Sequence, residues 1–258
     1  MTMPQANDRS PPSAPSLLPL PSAGQGPEKR PWEACVWPLV TFLAIGALEP
    51  TASGGGLAAS LGIPYSAYPA IYALRLLLTA GVLAWSWPAI APWLGRPSWW
   101  PPLVGLALVI PWVVLATLQR DAGWTFGMGE RAAFNPFDAF GAGSATAWAY
   151  LVLRGLGLVV VVPLCEELFL RGFLMRYVIN EDFWKVPFGT LTTAAAAVMA
   201  VYAISTHPAE AIAAVAWFAT ISGIALATGR PIDCILAHAG TNLALGAWVL
   251  ATGAWWLV

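Results

Sequence analysis

The chain contains a short acidic motif whose residue types and spacing could support acid–base chemistry. Glu166 and Glu167 are adjacent, and Arg171 follows Glu167 by four residues. Residues four apart share one helix face, so we expect Arg171 to pair with Glu167 and to keep it ionised and oriented. Glu166 lies about 100° further round such a helix and has no partner nearby in the sequence. We predict that Glu166 points into a cavity and binds water, although the same motif could also be a purely structural ion pair between helices.

The two histidines of the chain complete a candidate site. His207 ends an apolar segment and precedes Pro208, whereas His238 is followed four residues later by Asn242, one helical turn away on the same face. An isolated histidine in an apolar helix could simply bond a backbone carbonyl. Together with the glutamates, however, these residues supply a base, two imidazoles and an amide donor from three separate segments. We therefore predict that they converge on one hydrated pocket.

The composition indicates that this pocket lies within a membrane protein. Of the 258 residues, 58% are hydrophobic and 10% are charged, and the mean hydropathy is +0.67. Soluble domains carry about 25% charged residues. The formal net charge of -1 excludes a basic nucleic-acid-binding protein, and three cysteines without a CxxC motif exclude a disulfide framework or a thiolate zinc site. The expected surroundings are therefore the lipid bilayer.

The apolar segments predict an all-α bundle of about seven transmembrane helices (six to eight), because backbone groups in lipid must be satisfied within each segment. The predicted spans cover residues 35–48, 69–93, 101–118, 145–176, 189–205, 209–228 and 232–251. The predicted divisions are a disordered Pro/Ser-rich tail (1–34), N-terminal transmembrane helices (35–143) and a C-terminal bundle that carries the motifs (144–258). With straight helices His207 and His238 would lie at different depths, so a shared site requires tilted or broken helices, with breaks expected at Pro163 and Pro208.

The basic residues predict an orientation. With a cytoplasmic N-terminus, the inner loops hold Arg9, Lys29, Arg30, Arg96, Arg176, Lys185 and Arg230, and the outer loops hold Arg120 and Arg131. This distribution follows the positive-inside rule. Arg75 and Arg154 fall within spans without a nearby acidic residue, and we interpret them as structural or snorkelling side chains. The first three helices are interpreted as lipid-facing scaffold.

Several protease classes lack their motifs here. The chain has no HExxH sequence for a helix-borne zinc site, no GxSG sequence near a histidine-bearing span, and no intramembrane pair of aspartates. Cys165 is adjacent to Glu166, and a neighbouring carboxylate disfavours the reactive thiolate. We interpret Cys165 as a packing residue.

The remaining pattern resembles the CPBP family of intramembrane proteases, which includes type II CAAX prenyl endopeptidases and bacteriocin-processing or immunity proteins. The marks of that family are three motifs on successive helices: EExxxR, an aromatic residue four positions before a histidine, and HxxxN. In this chain, Glu166-Glu167-x-x-x-Arg171 resembles the first motif, His207 resembles the histidine of the second, and His238 with Asn242 resembles the third. The resemblance covers about residues 150–252. The chain departs from the second motif. The family pattern places an aromatic residue at position 203, four before His207, whereas the nearest aromatic residue in this chain is Tyr202. Segments around 176–189 and 251–255 look similar to CAAX-protease-related proteins that accompany bacterial exosortase systems.

This resemblance implies an intramembrane endopeptidase in a prokaryotic plasma membrane, acting on a membrane-associated protein or peptide. Glu166 with His207 would activate water, His238 with Asn242 would stabilise the oxyanion, and Glu167 with Arg171 would hold the helix. Whether zinc takes part stays open; its ligands would be Glu166, His207 and His238. A non-catalytic membrane protein that binds a peptide or partner in protein sorting or immunity is the alternative. A transporter is a third reading, because intramembrane Glu and His can relay protons.

Overall fold

The protein is an all-α helix bundle, as predicted. The computed structural model describes residues 26–51, 53–124, 134–141 and 143–257, and within these ranges it contains helices and loops but no strand. The α-helices, in chain order, are α1 (Pro31–Cys35), α2 (Trp37–Gly46), α3 (Gly56–Ser60), α4 (Tyr68–Leu94), α5 (Pro101–Ala107), α6 (Val109–Asp121), α7 (Pro136–Phe140), α8 (Ala145–Leu156), α9 (Val162–Phe169), α10 (Met175–Tyr177), α11 (Thr193–Thr206), α12 (Ala211–Thr228) and α13 (Pro231–Thr252).

Each of the seven predicted spans contains helix. Five helical segments within the described ranges are long and apolar enough to cross a membrane, namely Tyr65–Leu94, Pro101–Asp121, Ala145–Tyr177, Pro208–Thr228 and Pro231–Thr252. Helices α2 and α11 are also apolar but contain only 10 and 14 residues, fewer than the about 17 that a span usually needs. The fold is thus a polytopic bundle of five full-length candidate spans and two shorter apolar helices.

The predicted end of the N-terminal tail is too late. Residues 1–25 of that tail lie outside the described residues, but the last residues of the predicted tail form most of α1. The Trp32 ring of α1 lies 5.1 Å from the ring of Phe173 and 5.5 Å from that of Phe183. These aromatic contacts join α1 to the bundle, and proline content alone does not reveal them.

The helix that carries Glu166 runs from α8 through α9 to α10 without a break. Turns of π-helix at Gly157–Val161 and Leu170–Leu174 lie on either side of α9. We expected a bend or break at Pro163. Instead, the π turn directly before it changes the hydrogen-bonding pattern where the proline N–H is missing, so the helix continues. Helix α11, in contrast, ends before Pro208, as expected.

Arg75 has an acidic partner, which corrects the interpretation that it stands alone. Its Nη1 lies 3.0 Å from Oε1 of Glu49, and its Nε donates to the Phe42 carbonyl oxygen at 2.8 Å. Both charged side chains are 14% exposed. The partner lies 26 residues earlier in the chain, so helix spacing could not reveal the pair. The ion pair joins the end of α2 to α4.

Helix α13, which carries His238 and Asn242, contacts α5 backbone to backbone. A Cβ added at Gly105 would lie 1.9 Å from the Ala237 carbonyl oxygen. A Cβ at Gly240 would lie 2.8 Å from the Pro102 carbonyl oxygen. Glycine at these two positions therefore allows the close approach, which is a common mode of helix association in membranes.

A buried carboxylate fixes the start of α13 against the segment before α5. Asp233 is fully buried, and its two oxygens accept hydrogen bonds from the Ser98 backbone N–H at 2.7 Å and the Ser98 hydroxyl at 2.9 Å. Further along α13, the Thr241 hydroxyl donates to the Gly105 carbonyl oxygen at 2.8 Å. These bonds set the register of α13 and therefore the position of His238 along the bundle.

Gly105→Ala is expected to lower the melting temperature of the detergent-solubilised protein. The added methyl group cannot avoid the Ala237 carbonyl unless α5 moves away from α13, and overpacking of this kind costs about 1–3 kcal/mol. Unfolding can be followed with a thiol-reactive dye, because all three cysteines are buried. Gly223→Ala on α12 is the matched control, since a Cβ there meets nothing within 4 Å. Equal melting temperatures for the two variants would contradict the close packing.

Candidate active site

A cavity of about 140 Å³ lies between α6, α8, α9, α12 and α13. Glu166, His207, His238 and Asn242 all contribute to its wall. The apolar part of the wall includes Trp112, Leu158, Val162, Phe218, Leu245 and Leu257. Roughly 10–15 Å³ suffices for one water molecule that has polar partners. The cavity can therefore hold several waters, and the polar groups predicted to converge do share it.

Glu166 projects from α9 into this cavity. Its Oε2 lies 4.0 Å from Nε2 of His238, and the Glu166 side chain is 13% exposed. This distance is too long for a hydrogen bond but short enough for a direct electrostatic interaction. No described residue forms a closer ion pair with Glu166, so its oxygens are available to a water or a substrate in the cavity.

Behind Glu166, three charged or ionisable groups form a buried chain. Arg171 Nη1 lies 2.8 and 2.9 Å from the two carboxylate oxygens of Glu167, which is the predicted ion pair. Glu167 Oε1 also lies 2.9 Å from Nδ1 of His238. Because a carboxylate paired with arginine can only accept hydrogen bonds, Nδ1 of His238 carries the proton. This fixes the ring orientation and turns Nε2 towards Glu166.

Arg171 is held in place from a second helix. Its Nη2 donates to the Phe218 carbonyl oxygen on α12 at 2.8 Å, and both Arg171 and Glu167 are almost completely buried. An ion pair at this depth requires its remaining hydrogen-bonding capacity to be used. The pair therefore connects α9, α12 and, through His238, α13.

Asn242 is positioned by a carbonyl in the first π turn. Its Nδ2 donates to the Leu158 carbonyl oxygen at 2.7 Å. A π turn displaces the i to i−4 hydrogen bonds of the surrounding α-helix, which can leave a carbonyl available to another helix. The amide carries a second N–H group, which this single bond leaves for a ligand in the cavity.

His207 reaches the cavity because its helix ends there. The residue itself has left helical geometry, with φ −132° and ψ 56°, and its Nδ1 lies 2.8 Å from the Thr206 hydroxyl. The rings of Trp112 and Phe218 lie 5.6 and 5.7 Å from the imidazole. The break before Pro208 thus removes the expected difficulty that the two histidines would lie at different depths.

One comparison with known proteins identifies this part of the chain. Residues 147–244 match the family model described as type II CAAX prenyl endopeptidase Rce1-like. The match begins in α8 and ends shortly after Asn242, so it includes all six residues predicted from the motifs. This region is similar to that family. No curated protein and no solved structure matches the chain, and the resemblance to the exosortase-associated subgroup stays a prediction.

The similarity of this region to the CAAX endopeptidase family, together with the apolar helices, supports an integral membrane protein related to proteases. The zinc alternative names Glu166, His207 and His238 as ligands. Within the described part of the chain, no group of three or more His, Cys, Asp or Glu residues is arranged to hold a metal ion. Nδ1 of His238 bonds Glu167, and its Nε2 lies 4.0 Å from Oε2 of Glu166. The involvement of zinc stays a prediction.

Sequence reasoning missed the contribution of the N-terminal helices to the candidate site. Gln119 of α6 is buried, and its amide donates to the Ala209 carbonyl oxygen at 2.9 Å and accepts from the Ile212 N–H at 3.0 Å. It thereby holds the turn that follows His207. A buried amide in an apolar helix needs such partners, so a glutamine in this segment was a usable signal. Helices assigned to scaffold alone therefore also position the site.

Trp217 of α12 is a second residue that the motifs did not indicate. Its indole N–H donates to the Thr241 hydroxyl at 3.0 Å, and its ring lies 4.5 Å from that of His238. The indole therefore limits the rotation of the imidazole. An apolar helix rich in aromatic residues gives no sequence signal that one of them contacts a histidine.

Proposed function

We propose that the protein is an intramembrane endopeptidase that hydrolyses a peptide bond of a membrane-associated protein by means of a water activated by Glu166. The observation that carries this proposal is the shared cavity of Glu166, His207, His238 and Asn242, within the region that matches an endopeptidase family. A carboxylate, two imidazoles and an amide around water-sized space provide the groups that peptide hydrolysis needs.

In the proposed first step, Glu166 takes a proton from a water whose oxygen attacks the scissile carbonyl carbon. His207, on the same wall, orients this water. The tetrahedral intermediate collapses when the C–N bond breaks, and Glu166 returns the proton to the departing amine. One water is consumed, and one carboxyl and one amino group are formed.

His238 and Asn242 are proposed to stabilise the negative oxygen of the intermediate. Nδ1 of His238 donates to Glu167, so Nε2 can donate to the oxyanion only when it also carries a proton. The second N–H of Asn242 supplies the other hydrogen bond. Such donors each contribute about 3 kcal/mol to the lowering of a barrier.

The proposed substrate is apolar on one side of the cleaved bond. A groove of about 220 Å³ between α8 and α13 adjoins the cavity and shares Arg154, Leu158 and Asn242 with it. Its wall is otherwise mostly apolar and includes Gly155 and Gly246, whose missing side chains leave open space. A lipid-modified cysteine or an apolar protein segment fits this surface, in keeping with the prenyl endopeptidases for which the family is named.

The test compares protein termini in cells that produce the wild-type chain or its Glu166→Gln variant. Mass spectrometry of the membrane fraction is expected to find new termini that depend on Glu166. Glu181→Gln, an exposed residue in the loop after α10, is the matched control and should give the wild-type pattern. Identical termini in all three samples would overturn the protease proposal and favour the non-catalytic binding alternative.

A further inference from the structure

Arg154 on α8 is a cation at the edge of the cavity and has no acidic partner among the described residues. Its Nη1 donates to the hydroxyl oxygens of Tyr68 at 3.1 Å and Tyr150 at 3.3 Å, and its Cζ lies 5.5 Å from the ring centre of Tyr72. The Nε is buried without a hydrogen-bond partner, and Nη2 bonds no described residue. Three neutral aromatic side chains thus hold the guanidinium without neutralising its charge.

An uncompensated charge at this depth requires an explanation. Arg154 follows the start of α8 by nine residues, which is about 14 Å along the helix. Ionisable side chains within a span are costly and usually pair or serve a function. Arg75 and Arg171, in contrast, lie 3.0 and 2.8 Å from carboxylate oxygens. The missing anion of Arg154 is therefore expected to come from a ligand.

The position of Arg154 indicates where that ligand lies. Arg154, Leu158, Val162 and Glu166 recur every four residues along one helix and all line the cavity. The first and last are separated by about 18 Å at the helical rise. An extended peptide advances about 3.3 Å per residue. A peptide whose scissile bond lies at Glu166 could therefore place a group about five residues away next to Arg154.

We propose that Arg154 binds a carboxylate of the substrate and so determines specificity in the proposed peptidase reaction. The three tyrosines hold the guanidinium ready, Nη2 and Nε are its remaining donors, and a carboxylate supplies two acceptor oxygens that match them. The carboxylate is either the free C-terminus of the substrate or an acidic side chain near it. This inference rests on the proposed function, because it takes the cavity as the substrate site.

The experiment uses two apolar eight-residue peptides in which five residues follow a farnesylated cysteine, one with a free C-terminal carboxylate and one with an amide. Their binding is measured by calorimetry to the Glu166→Gln protein, which cannot complete the proposed hydrolysis. We expect the acid to bind about tenfold or more tightly than the amide. When Arg154→Gln is added to this protein, the ratio of the acid affinity to the amide affinity should fall close to one, while the affinity for the amide changes little.

Controls separate recognition from a structural role. Arg96→Gln removes an exposed positive charge and should leave the acid-to-amide ratio unchanged, whereas Arg154→Lys should keep part of it. If Arg154→Gln does not fold, the proposal is tested by the ratio of acid affinity to amide affinity, compared between the Glu166→Gln protein and the protein that also carries Arg154→Lys. An amide peptide with an aspartate near its end tests whether a side-chain carboxylate also binds.

The outcomes distinguish this proposal from the function on which it rests. Equal binding of acid, amide and aspartate peptides, or a preference that survives Arg154→Gln, overturns the carboxylate site. A carboxylate preference lost in Arg154→Gln, without Glu166-dependent cleavage by the wild-type protein, supports the site and overturns the peptidase. Binding that depends on phosphatidylglycerol in the micelle rather than on a peptide carboxylate would assign Arg154 to a lipid headgroup and also overturn the proposal.

Discussion

Replacing Glu166 with glutamine is expected to lower kcat for peptide cleavage by about 10²- to 10⁴-fold, the contribution usual for a general base, while KM changes little. Glutamine keeps the shape of the side chain but cannot take a proton from water. Since Glu166 faces the cavity and forms no close ion pair with a described residue, the substitution leaves no buried cation without its partner. The measurement is steady-state cleavage of a quenched-fluorescent farnesylated peptide by purified protein.

Two control variants keep this result specific to the carboxylate. Glu181→Gln makes the same chemical change in an exposed loop and should keep the wild-type rate. Cys165→Ala removes the buried thiol next to Glu166. This variant should also retain activity. A Glu166→Gln protein that cleaves within about threefold of the wild-type rate would exclude Glu166 as the base.

The spans and the pairing of Glu167 with Arg171 could be predicted because they depend on local spacing. About 20 apolar residues predict a membrane helix, and positions four apart predict a shared helix face. The bounds of α4 and α13 accordingly differ from the expected spans by one residue at each end. Where a membrane helix continues through a proline, as at Pro163, local rules were not sufficient, because the outcome depends on a π turn supported by contacts with other helices.

The partners that the sequence did not reveal are all distant along the chain. Glu49 neutralises Arg75 from 26 residues away, and Gln119 holds the turn after His207 from 90 residues away. The Glu167–His238 bond joins residues 71 apart. Residue types predicted which groups need partners, since buried charge and amide must be satisfied, but only the packing of helices selects the partner. This is why the members of the site were predictable and the bond from Glu167 to His238 was not.

Arg171→Met is expected to be the most destabilising single substitution in the site. Arg171 and Glu167 are 2% and 0% exposed, so removal of the arginine leaves a buried carboxylate whose remaining described partner is the His238 ring. Breaking a buried pair from one side typically costs about 3–5 kcal/mol. The expected result is a large fall in melting temperature, measured with the thiol dye in detergent, together with loss of cleavage.

The double variant Glu167→Gln with Arg171→Met separates stability from chemistry. It removes both charges, and replacing a whole buried pair with neutral side chains is often nearly neutral for stability, so the melting temperature should largely recover. The amide oxygen of the substituted side chain can still accept the hydrogen bond from Nδ1 of His238, but it no longer places a negative charge next to the ring that is proposed to bind the oxyanion. Cleavage should therefore stay low in a protein that is again stable. A double variant as unstable as Arg171→Met alone would show that packing, rather than an unpaired charge, causes the loss, and a stable double variant with full activity would remove Glu167 from the mechanism.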